Sequence, residues 1–313
     1  MSFGLFESKV DLYDRAFREV HGRDHPPGMK IGESRAGIIS PARGFLGTFD
    51  YTMQLQVGCP GGCLFCYVQN SPRLGPADVR SRWGFEIRGK KNSLVKLQRA
   101  LQQGVLADRS IYWSAVTDPY AVKGSMTRDF WKILLDTPSV LRPRRIVVQS
   151  RFRVNRDRSL IAEYLDSTRA SDHLPSVVVS LTIGTDRDDL VHSWERATPD
   201  FNQRMKTVSS LRDSGIKVIP TLSPFSLWND LELTLQRFRE MEIKMISVIF
   251  LKEKTATART PAPFIEYIKR RFPCMLDEAW QQGQLEIMTS VMGKGNVLVG
   301  QQGFSRLACP RGI

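Results

Sequence analysis

The hydrophobic pattern becomes regular near residue 92 and stays regular to about residue 251. Short apolar runs rich in β-branched residues alternate there with longer stretches of helical periodicity. The runs predict strands at 111–116, 145–149, 176–183, 216–222 and 245–251, preceded by a first strand at 53–57. The helical stretches fall at 93–103, 127–136, 158–167, 199–214 and 229–241. Strands that alternate with helices at this spacing predict βα units and a parallel sheet.

Six βα units with right-handed crossovers predict an α/β protein built as an open, partial (β/α)6 barrel. We expect the barrel at 46–252, an N-terminal extension at 1–45 that lies over it, and a C-terminal extension at 253–313 on the substrate side. Within the C-terminal extension, the Gly-rich segment 290–304 predicts a terminal hairpin. Functional groups of parallel α/β barrels gather at the carboxyl ends of the strands.

The charge balance is strongly basic, with a formal net charge of +13 and a pI near 9.8. Such a balance favours a polyanionic partner, and we expect nucleic acid; a generally soluble basic surface is the alternative. The first residues lack a basic segment followed by an apolar one, and no apolar run is long enough to span a membrane, so neither a signal peptide nor a membrane partner is expected. Five cysteines, three of them clustered, suit a reducing compartment, which favours a cytoplasmic protein.

A basic segment with interspersed aromatic residues covers 73–91. Its cations are Arg73, Arg80, Arg82, Arg88, Lys90 and Lys91, and its aromatic residues are Trp83 and Phe85. Cations mixed with aromatic rings suit phosphate contacts together with base stacking. A solvated loop with two packing aromatic residues explains the same pattern equally well.

Three cysteines, Cys59, Cys63 and Cys66, form a C-x3-C-x2-C cluster. Thiolates are soft ligands for zinc or for iron–sulfur clusters, and three of them leave a fourth metal position open. Gly61 and Gly62 suit a loop around an inorganic core, because glycine tolerates unusual backbone angles and has no bulk. Structural zinc sites usually use paired C-x2-4-C units, and no second pair exists here. The spacing therefore favours an iron–sulfur cluster over a zinc knuckle.

This spacing, followed directly by the aromatic Tyr67, resembles the signature loop of the radical S-adenosylmethionine (SAM) enzymes. Further segments, in order along residues 45–252, resemble the spore photoproduct lyase-like branch of that superfamily. They are residues 57–69, Thr117-Asp118-Pro119-Tyr120, Thr127-Arg128, Arg156-Asp157, Ser180, Glu195, Thr198, Arg204, Leu211 and Gly215-Ile216. The resemblance implies the radical SAM form of the partial (β/α)6 barrel.

The resemblance also implies two cofactors, a 4Fe-4S cluster and SAM. The implied iron ligands are Cys59, Cys63 and Cys66, and the residues implied to lie near SAM are Tyr67, Thr117, Asp118 and Ser180. An electron from the reduced cluster would split SAM and release a 5′-deoxyadenosyl radical. A donor such as flavodoxin or ferredoxin would supply that electron to the cluster. Two of these residues also have ordinary structural explanations, since Asp118 could cap a turn and Ser180 could be a buried hydroxyl bonded to the backbone.

Two positions depart from the pattern of this branch. The spore lyase has a hydrogen-donating cysteine three residues before the position of Asp118, where this chain has Ala115. Alanine cannot donate a hydrogen atom, so spore photoproduct repair by that route is not expected. Many relatives have a lysine after the third strand that would meet the SAM carboxylate, and Arg151 could supply an equivalent cation.

The residue that acts on the substrate is not identified by the sequence. Cys274 and Tyr120 are the catalytic candidates, and Cys309 is a further candidate for the missing hydrogen donor. A lone cysteine is more often an inert, small hydrophobic residue. The first functional hypothesis is a radical SAM enzyme that acts on nucleic acid by lesion repair or base modification. The alternatives are radical chemistry on a small molecule or peptide, and a zinc-bearing nucleic-acid-binding protein without catalysis.

Overall fold

The computed structural model describes residues 8–70, 81–114, 116–121, 124–168, 176–251 and 260–308. Its strands are β1 Lys30–Ser34, β2 Ile39–Pro41, β3 Tyr51–Met53, β4 Gln56–Val57, β5 Glu86–Lys90, β6 Ser110–Trp113, β7 Arg145–Ser150, β8 Ser176–Thr182, β9 Lys217–Phe225, β10 Ile246–Phe250 and β11 Val297–Val299. Its helices are α1 Lys9–His21, α2 Ser93–Gln102, α3 Met126–Leu135, α4 Arg158–Asp166, α5 Asp188–Trp194, α6 Phe201–Asp213, α7 Leu231–Glu240, α8 Ala262–Arg271, α9 Glu278–Met292 and α10 Gly300–Ser305.

The main sheet has eight strands in the order β11-β10-β9-β8-β7-β6-β3-β2. All neighbouring strands are parallel except β2 and β3. The six strands predicted from the hydrophobic pattern correspond to β3 and β6 to β10, and they lie side by side in chain order. The α/β class and the six consecutive βα units are therefore confirmed, and the sheet is open, with β2 and β11 at its two edges.

The centre of the sheet is apolar on both faces, as expected for parallel strands that are covered on both sides. On the outer face, Val148 and Val179 belong to the large core that includes Phe130 and Trp131 of α3. On the inner face, the apolar residues form a separate core with the C-terminal segment. Its main members are Phe49, Tyr112, Val147, Val178, Ile219, Leu298, Phe304 and Leu307.

The first predicted strand is divided between two sheets. β3 belongs to the main sheet, whereas β4 joins a three-stranded sheet in the order β1-β5-β4. The chain crosses β5 closely at Gly58, which has a φ of +92°, and a Cβ atom there would lie 2.0 Å from the carbonyl oxygen of Glu86. Only glycine allows this approach, so Gly58 is needed where β4 passes into the cysteine loop.

The prediction of a terminal hairpin is wrong. β11 pairs in parallel with β10, and the chain then enters α10 instead of returning as a second strand. Gly303 allows α10 to pack against its own strand, because a Cβ atom there would lie 2.3 Å from the carbonyl carbon of Leu298. Phe304 and Leu307 thereby reach the inner face of the sheet, and their burial outweighs the pairing that a hairpin would offer.

Helix α1 covers the region around the cysteine loop. Ser8 and Asp11 form a capping box at its start, and its buried face consists of Tyr13, Ala16, Phe17 and Val20. This face belongs to a second core with residues of α5 and α8. The predicted domain limits at residues 45 and 252 stay predictions. In the described ranges, no helix combines the length and the apolar character that a membrane crossing needs.

Candidate active site

The cysteine loop starts at Gly58 and ends in the 3-10 turn Tyr67–Asn70. Burial raises the pKa of all three of its thiols, to about 12 for Cys59 and well above the ordinary value for Cys63. The backbone N–H groups of Gly61 and Asp118 donate hydrogen bonds to Cys59. The sulfur of Cys66 accepts hydrogen bonds from two backbone N–H groups and from the side chain of Trp83. Donors are therefore already directed at the sulfur atoms of Cys59 and Cys66, as is usual for thiolate ligands.

Gly61 keeps the space beside two of the sulfur atoms free of a side chain, as a loop around an inorganic cluster requires. A Cβ atom at Gly61 would lie 3.3 Å from the sulfur of Cys59 and 3.6 Å from that of Cys63, so a larger residue would crowd both. Among the described residues, no group of three or more His, Cys, Asp or Glu side chains is arranged around a single metal ion. In a 4Fe-4S cluster each thiolate binds its own iron atom, so the three sulfurs need not converge on one point.

Helices α1 and α5 hold the loop from outside. The hydroxyl of Tyr13 donates a buried hydrogen bond of 2.6 Å to the carbonyl oxygen of Gly62. The N–H of Leu64 donates to the carbonyl oxygen of Trp194 at 2.9 Å. Gly62 has a φ of +58°, and a Cβ atom at Gly84 would lie 2.7 Å from its Cα atom. The loop backbone is thus fixed on both sides of the second cysteine.

Asp118 joins the ends of two neighbouring strands, β6 and β7. Its Oδ1 accepts from the hydroxyl of Ser150 at 2.7 Å and from the N–H of Tyr120 at 2.9 Å, and its Oδ2 accepts from the N–H of Arg151 at 2.7 Å. Burial raises the pKa of Asp118, and these hydrogen bonds offset part of that effect. The Tyr120 contact is the turn-capping arrangement that the sequence left open. Asp118 also contacts the cysteine loop through its own N–H, so both explanations describe part of its surroundings.

Arg151 lies beside the cysteine loop in a buried chain of charges. Its guanidinium donates to Glu195 Oε1 at 2.8 Å and to the carbonyl oxygen of Ser223, and its Cζ lies 4.8 Å from the centre of the Phe65 ring. The other oxygen of Glu195 pairs with Arg204, which is 1% exposed. Burial acts to raise the pKa of Glu195, but the charges of the two arginines outweigh it and lower the pKa.

A polar layer crosses the inner face of the sheet above its apolar part. The hydroxyl of Ser180, which is fully buried, donates to Gln149 at 2.9 Å and contacts the hydroxyl of Thr221. Gln149 also accepts from the hydroxyl of Tyr112 at 3.0 Å. Ser180 therefore bonds to side chains, not to the backbone, and it lies on the inner face below the strand ends.

Several buried polar atoms in this region have no hydrogen-bond partner within the described part of the chain. They are Gln54 Nε2, Thr117 Oγ1 and Ser247 Oγ. The Oε1 atom of Gln54 accepts from the N–H of Thr117 at 3.1 Å, which places two of the three side by side where β3 and β6 end. An unpaired buried donor or acceptor is costly, so these atoms indicate space for a polar ligand.

The remaining candidate residues lie in three different regions of the structure. Tyr67 is 45% exposed, and its hydroxyl influences the pKa of Tyr112, so it lies near the polar layer. Tyr120 is 3% exposed, belongs to the outer core, and accepts from Trp131 at 2.9 Å. Cys274 is half-buried in the turn Pro273–Leu276 between α8 and α9, not at a strand end. Ala115 and Cys309 lie outside the described residues.

In the basic segment, the structure favours packing of the aromatic residues over the predicted base stacking. Phe85 is 1% exposed and packs in the second core, while Trp83 contacts Cys66. Arg88 pairs with Glu86 at 3.4 Å. Burial of the Phe85 ring is favourable and removes it from base stacking, whereas Trp83 is half-buried and lines a cleft beside the loop. Arg73 and Arg80 lie outside the described residues.

Three contacts of the site were not found from the sequence: those of Tyr13, Gln54 and Trp83. Tyr13 meets Gly62 across 49 positions of the chain, and Gln54 meets Thr117 across 63. The only signal for Tyr13 is its position on the apolar stripe of an amphipathic helix, which indicates burial but not a partner.

Comparison with known proteins supports the fold. A scan against family models gives no match, and a search of curated proteins gives none. Among solved structures, spore photoproduct lyase complexed with dinucleoside spore photoproduct is similar at a TM-score of 0.53 and 14% identity, over 96% of this chain and 87% of that one. A mutant of the lyase with bound SAM and dinucleoside spore photoproduct gives the same values. Another lyase mutant gives a TM-score of 0.54 at 13% identity. The resemblance seen in the sequence is thus confirmed for the fold, which is similar to that of spore photoproduct lyase.

Proposed function

We propose that the protein is a radical SAM enzyme in which Cys59, Cys63 and Cys66 hold a 4Fe-4S cluster and SAM occupies the open iron. The observation that carries this proposal is the position of three half-buried cysteines of one loop beside Asp118 and Arg151, at the ends of β6 and β7. When bound, the reduced cluster supplies the electron that splits SAM into methionine and a 5′-deoxyadenosyl radical. The protein supplies binding, orientation and the exclusion of water.

The charges around the loop suit this chemistry. The guanidinium of Arg151 offsets negative charge on Cys63 and Cys66, and Glu195 keeps it in place. Arg151 is also our proposed partner for the carboxylate of SAM, and its Nε–H has no contact among the described residues that would prevent this. Thr117, Ser180 and Tyr67 are proposed to surround SAM, with the unpaired hydroxyl of Thr117 as one of its contacts.

We propose that the electron donor approaches the loop from the α1 side. A cleft of about 280 Å³ lies there, lined by residues that include Tyr13, Arg23, Cys63 and Trp83. Because one thiol ligand borders the cleft, a redox partner seated on it would be close to the cluster. We propose a flavodoxin- or ferredoxin-type donor on this side.

We propose nucleic acid as the substrate, in lesion repair or base modification. The net charge of +13 supports a polyanionic partner, and the similar lyase structures hold a dinucleoside photoproduct. Ala115 removes the hydrogen donor of the spore lyase from this position. The reaction is therefore proposed to differ from spore photoproduct repair in how the final hydrogen atom is supplied.

Anaerobic reconstitution with iron and sulfide, followed by reduction in the presence of SAM, tests the proposal. We expect a brown protein that forms 5′-deoxyadenosine, and faster formation with DNA or RNA than with nucleosides or peptides. Deuterium transfer from labelled substrate into 5′-deoxyadenosine would locate the abstracted hydrogen. A colourless protein with stoichiometric zinc and no 5′-deoxyadenosine would overturn the enzyme proposal, and stimulation by peptides alone would overturn the substrate class.

A further inference from the structure

Four cations belong to the segments that come together where the three-stranded sheet ends and α2 begins. β1 and β5 run parallel with Ser34 opposite Lys90, and the N–H of Lys91 donates to the carbonyl oxygen of Ser34 at 2.9 Å. Arg35 and Lys91 therefore leave the sheet together, and both are exposed. We call Arg35, Lys90, Lys91 and Lys96 the Lys90 patch.

Lys90 has a buried ammonium group, and no carboxylate of the described residues forms an ion pair with it. It is 8% exposed, and its Nζ donates to the carbonyl oxygen of Gly37. Burial, and then the positive charge of Lys96, lower its pKa to about 8. Within the described part of the chain, no ion pair includes any of the four cations of the patch. Neighbouring like charges without an anion are unfavourable, and a bound anion would remove that cost.

The start of α2 adds donors beside these cations. Asn92 has a left-handed conformation and makes no side-chain cap, so the first N–H groups of the helix have no side-chain acceptor there. Ser93, the first helical residue, is 8% exposed, and its hydroxyl forms no hydrogen bond with a described residue. The helix contains no acidic residue. Its positive end, a free hydroxyl and the cations together match the oxygen atoms of a phosphate.

The patch is joined to the cysteine loop by the same small sheet. β4 pairs with β5, with Val57 opposite Arg88, and β4 is followed by Gly58 and Cys59. The face of the sheet on this side is open, because Ile31 is 82% exposed and a Cβ atom at Gly89 would meet nothing within 4 Å. A polymer held at the patch would therefore run beside the loop that we propose to bind the cluster.

We propose that the Lys90 patch is a phosphate-binding surface that holds the backbone of the nucleic-acid substrate. This rests on the proposed function for its substrate class. The phosphate oxygens accept hydrogen bonds from Arg35, Lys91 and Lys96 and from the start of α2, and the buried ammonium group of Lys90 adds positive charge beside them. Phosphate contacts of this kind fix the position of the nucleic acid and carry no sequence preference.

The test compares two triple variants that remove equal charge from the intact protein. Arg35→Gln, Lys91→Gln and Lys96→Gln alter the patch, whereas Lys206→Gln, Arg237→Gln and Arg239→Gln alter exposed cations of α6 and α7 that have no ion pairs among the described residues. Fluorescence anisotropy with short labelled single-stranded and duplex DNA, measured over a range of salt, gives affinity and salt slope. We expect the patch variant to bind about tenfold more weakly with a salt slope reduced by about two, and the control to stay near wild type.

The outcomes separate this proposal from the proposed function. Equal weakening in both variants would show an effect of net charge alone and would overturn the patch. If the wild-type protein binds neither form of DNA, the phosphate-binding proposal is overturned as well. The radical SAM proposal is tested separately, by 5′-deoxyadenosine formation without nucleic acid. If the triple variant melts at a lower temperature than the control, the single variant Lys91→Gln replaces it, with an expected slope change of about one.

Discussion

The two ends of the barrel interior differ in whether their buried groups find partners within the described part of the chain. At the amino end, Phe304 and Leu307 pack on Tyr112, Val147 and Val178, and the side chains form a closed apolar core. At the carboxyl end, charged groups lie buried together, and polar atoms of Gln54 and Thr117 have no partner among the described residues. Native structures leave few such atoms unpaired, and a bound ligand, ion or water commonly completes those that remain.

This difference assigns the amino end of the interior mainly to stability and the carboxyl end mainly to function. We expect substitutions at the amino end to lower the free energy of unfolding without changing the chemistry of the folded protein. We expect substitutions at the carboxyl end to alter cofactor binding, with stability effects only where a charge loses its partner. Substitutions in the charge chain through Arg151 and Glu195 should affect both stability and cofactor binding.

The largest expected effect is the loss of a proposed iron ligand. Cys63→Ser replaces a soft thiolate by a hard hydroxyl, and we expect cluster absorbance and 5′-deoxyadenosine formation to fall by more than the roughly 10- to 100-fold that an outer-shell change causes. Iron and sulfide analysis and SAM cleavage measure this. Cys274→Ser is the matched control, and its iron content should equal that of wild type. Full iron content in Cys63→Ser would contradict the ligand assignment.

At the amino end, Phe304→Ala should have the largest effect on stability. Phe304 is 2% exposed, and removal of its ring should lower the free energy of unfolding by about 3–5 kcal/mol. Urea unfolding of the cluster-free protein measures the change. Phe304→Leu keeps much of the apolar volume and should recover most of the loss. Altered 5′-deoxyadenosine formation per folded molecule would contradict the separation of the two ends.

Glu195→Gln tests a residue of the carboxyl end that should also affect stability. It leaves Arg151 and Arg204 buried without a carboxylate, so we expect a loss of about 2–4 kcal/mol in the free energy of unfolding. The pKa of Glu195 is lowered from 4.5, so its stabilising effect is complete above that pH and disappears as the pH falls through the folded-state value. The difference between wild type and variant should therefore shrink in acid.

Urea unfolding between neutral pH and the acid limit of the fold measures this difference. Glu240→Gln, at an exposed position at the end of α7, is the control and should change the free energy of unfolding by no more than about 0.5 kcal/mol. A wild-type advantage over Glu195→Gln that grows towards low pH would contradict the sign of the pKa shift.

The sequence predicted the parts of the fold that depend on local pattern. β8 and its neighbours are continuous apolar runs, and the cysteine spacing is readable by itself. The split between β3 and β4 was not predictable, because it depends on long-range pairing, of β3 with β6 and of β4 with β5. The pairing of Arg88 with Glu86 and the crowding of Lys90 by Lys96 also depend on folding, since a charge pattern states which cations exist but not which have partners.

The smallest expected effect belongs to Tyr13, which tests whether the loop depends on the N-terminal helix. Tyr13→Phe removes the hydrogen bond to the carbonyl oxygen of Gly62 and keeps the ring, so the free energy of unfolding should fall by only about 1 kcal/mol. The carbonyl is then free to turn, and the loop between Cys59 and Cys63 loses one of its fixed points. We expect a shifted midpoint potential of the reconstituted cluster and faster bleaching of its absorbance in air.

Tyr267→Phe is the matched control for this effect. Tyr267 is 6% exposed in the same core, and its hydroxyl accepts from the indole N–H of Trp194 at 3.5 Å. Among the described residues, it makes no hydrogen bond to the backbone of the cysteine loop. Its removal should lower stability by a similar or smaller amount and leave the potential and the bleaching rate unchanged. If both variants shift the potential equally, the effect comes from general loosening of the α1–α5–α8 core. If only Tyr13→Phe does, a single hydroxyl on the N-terminal helix positions the loop.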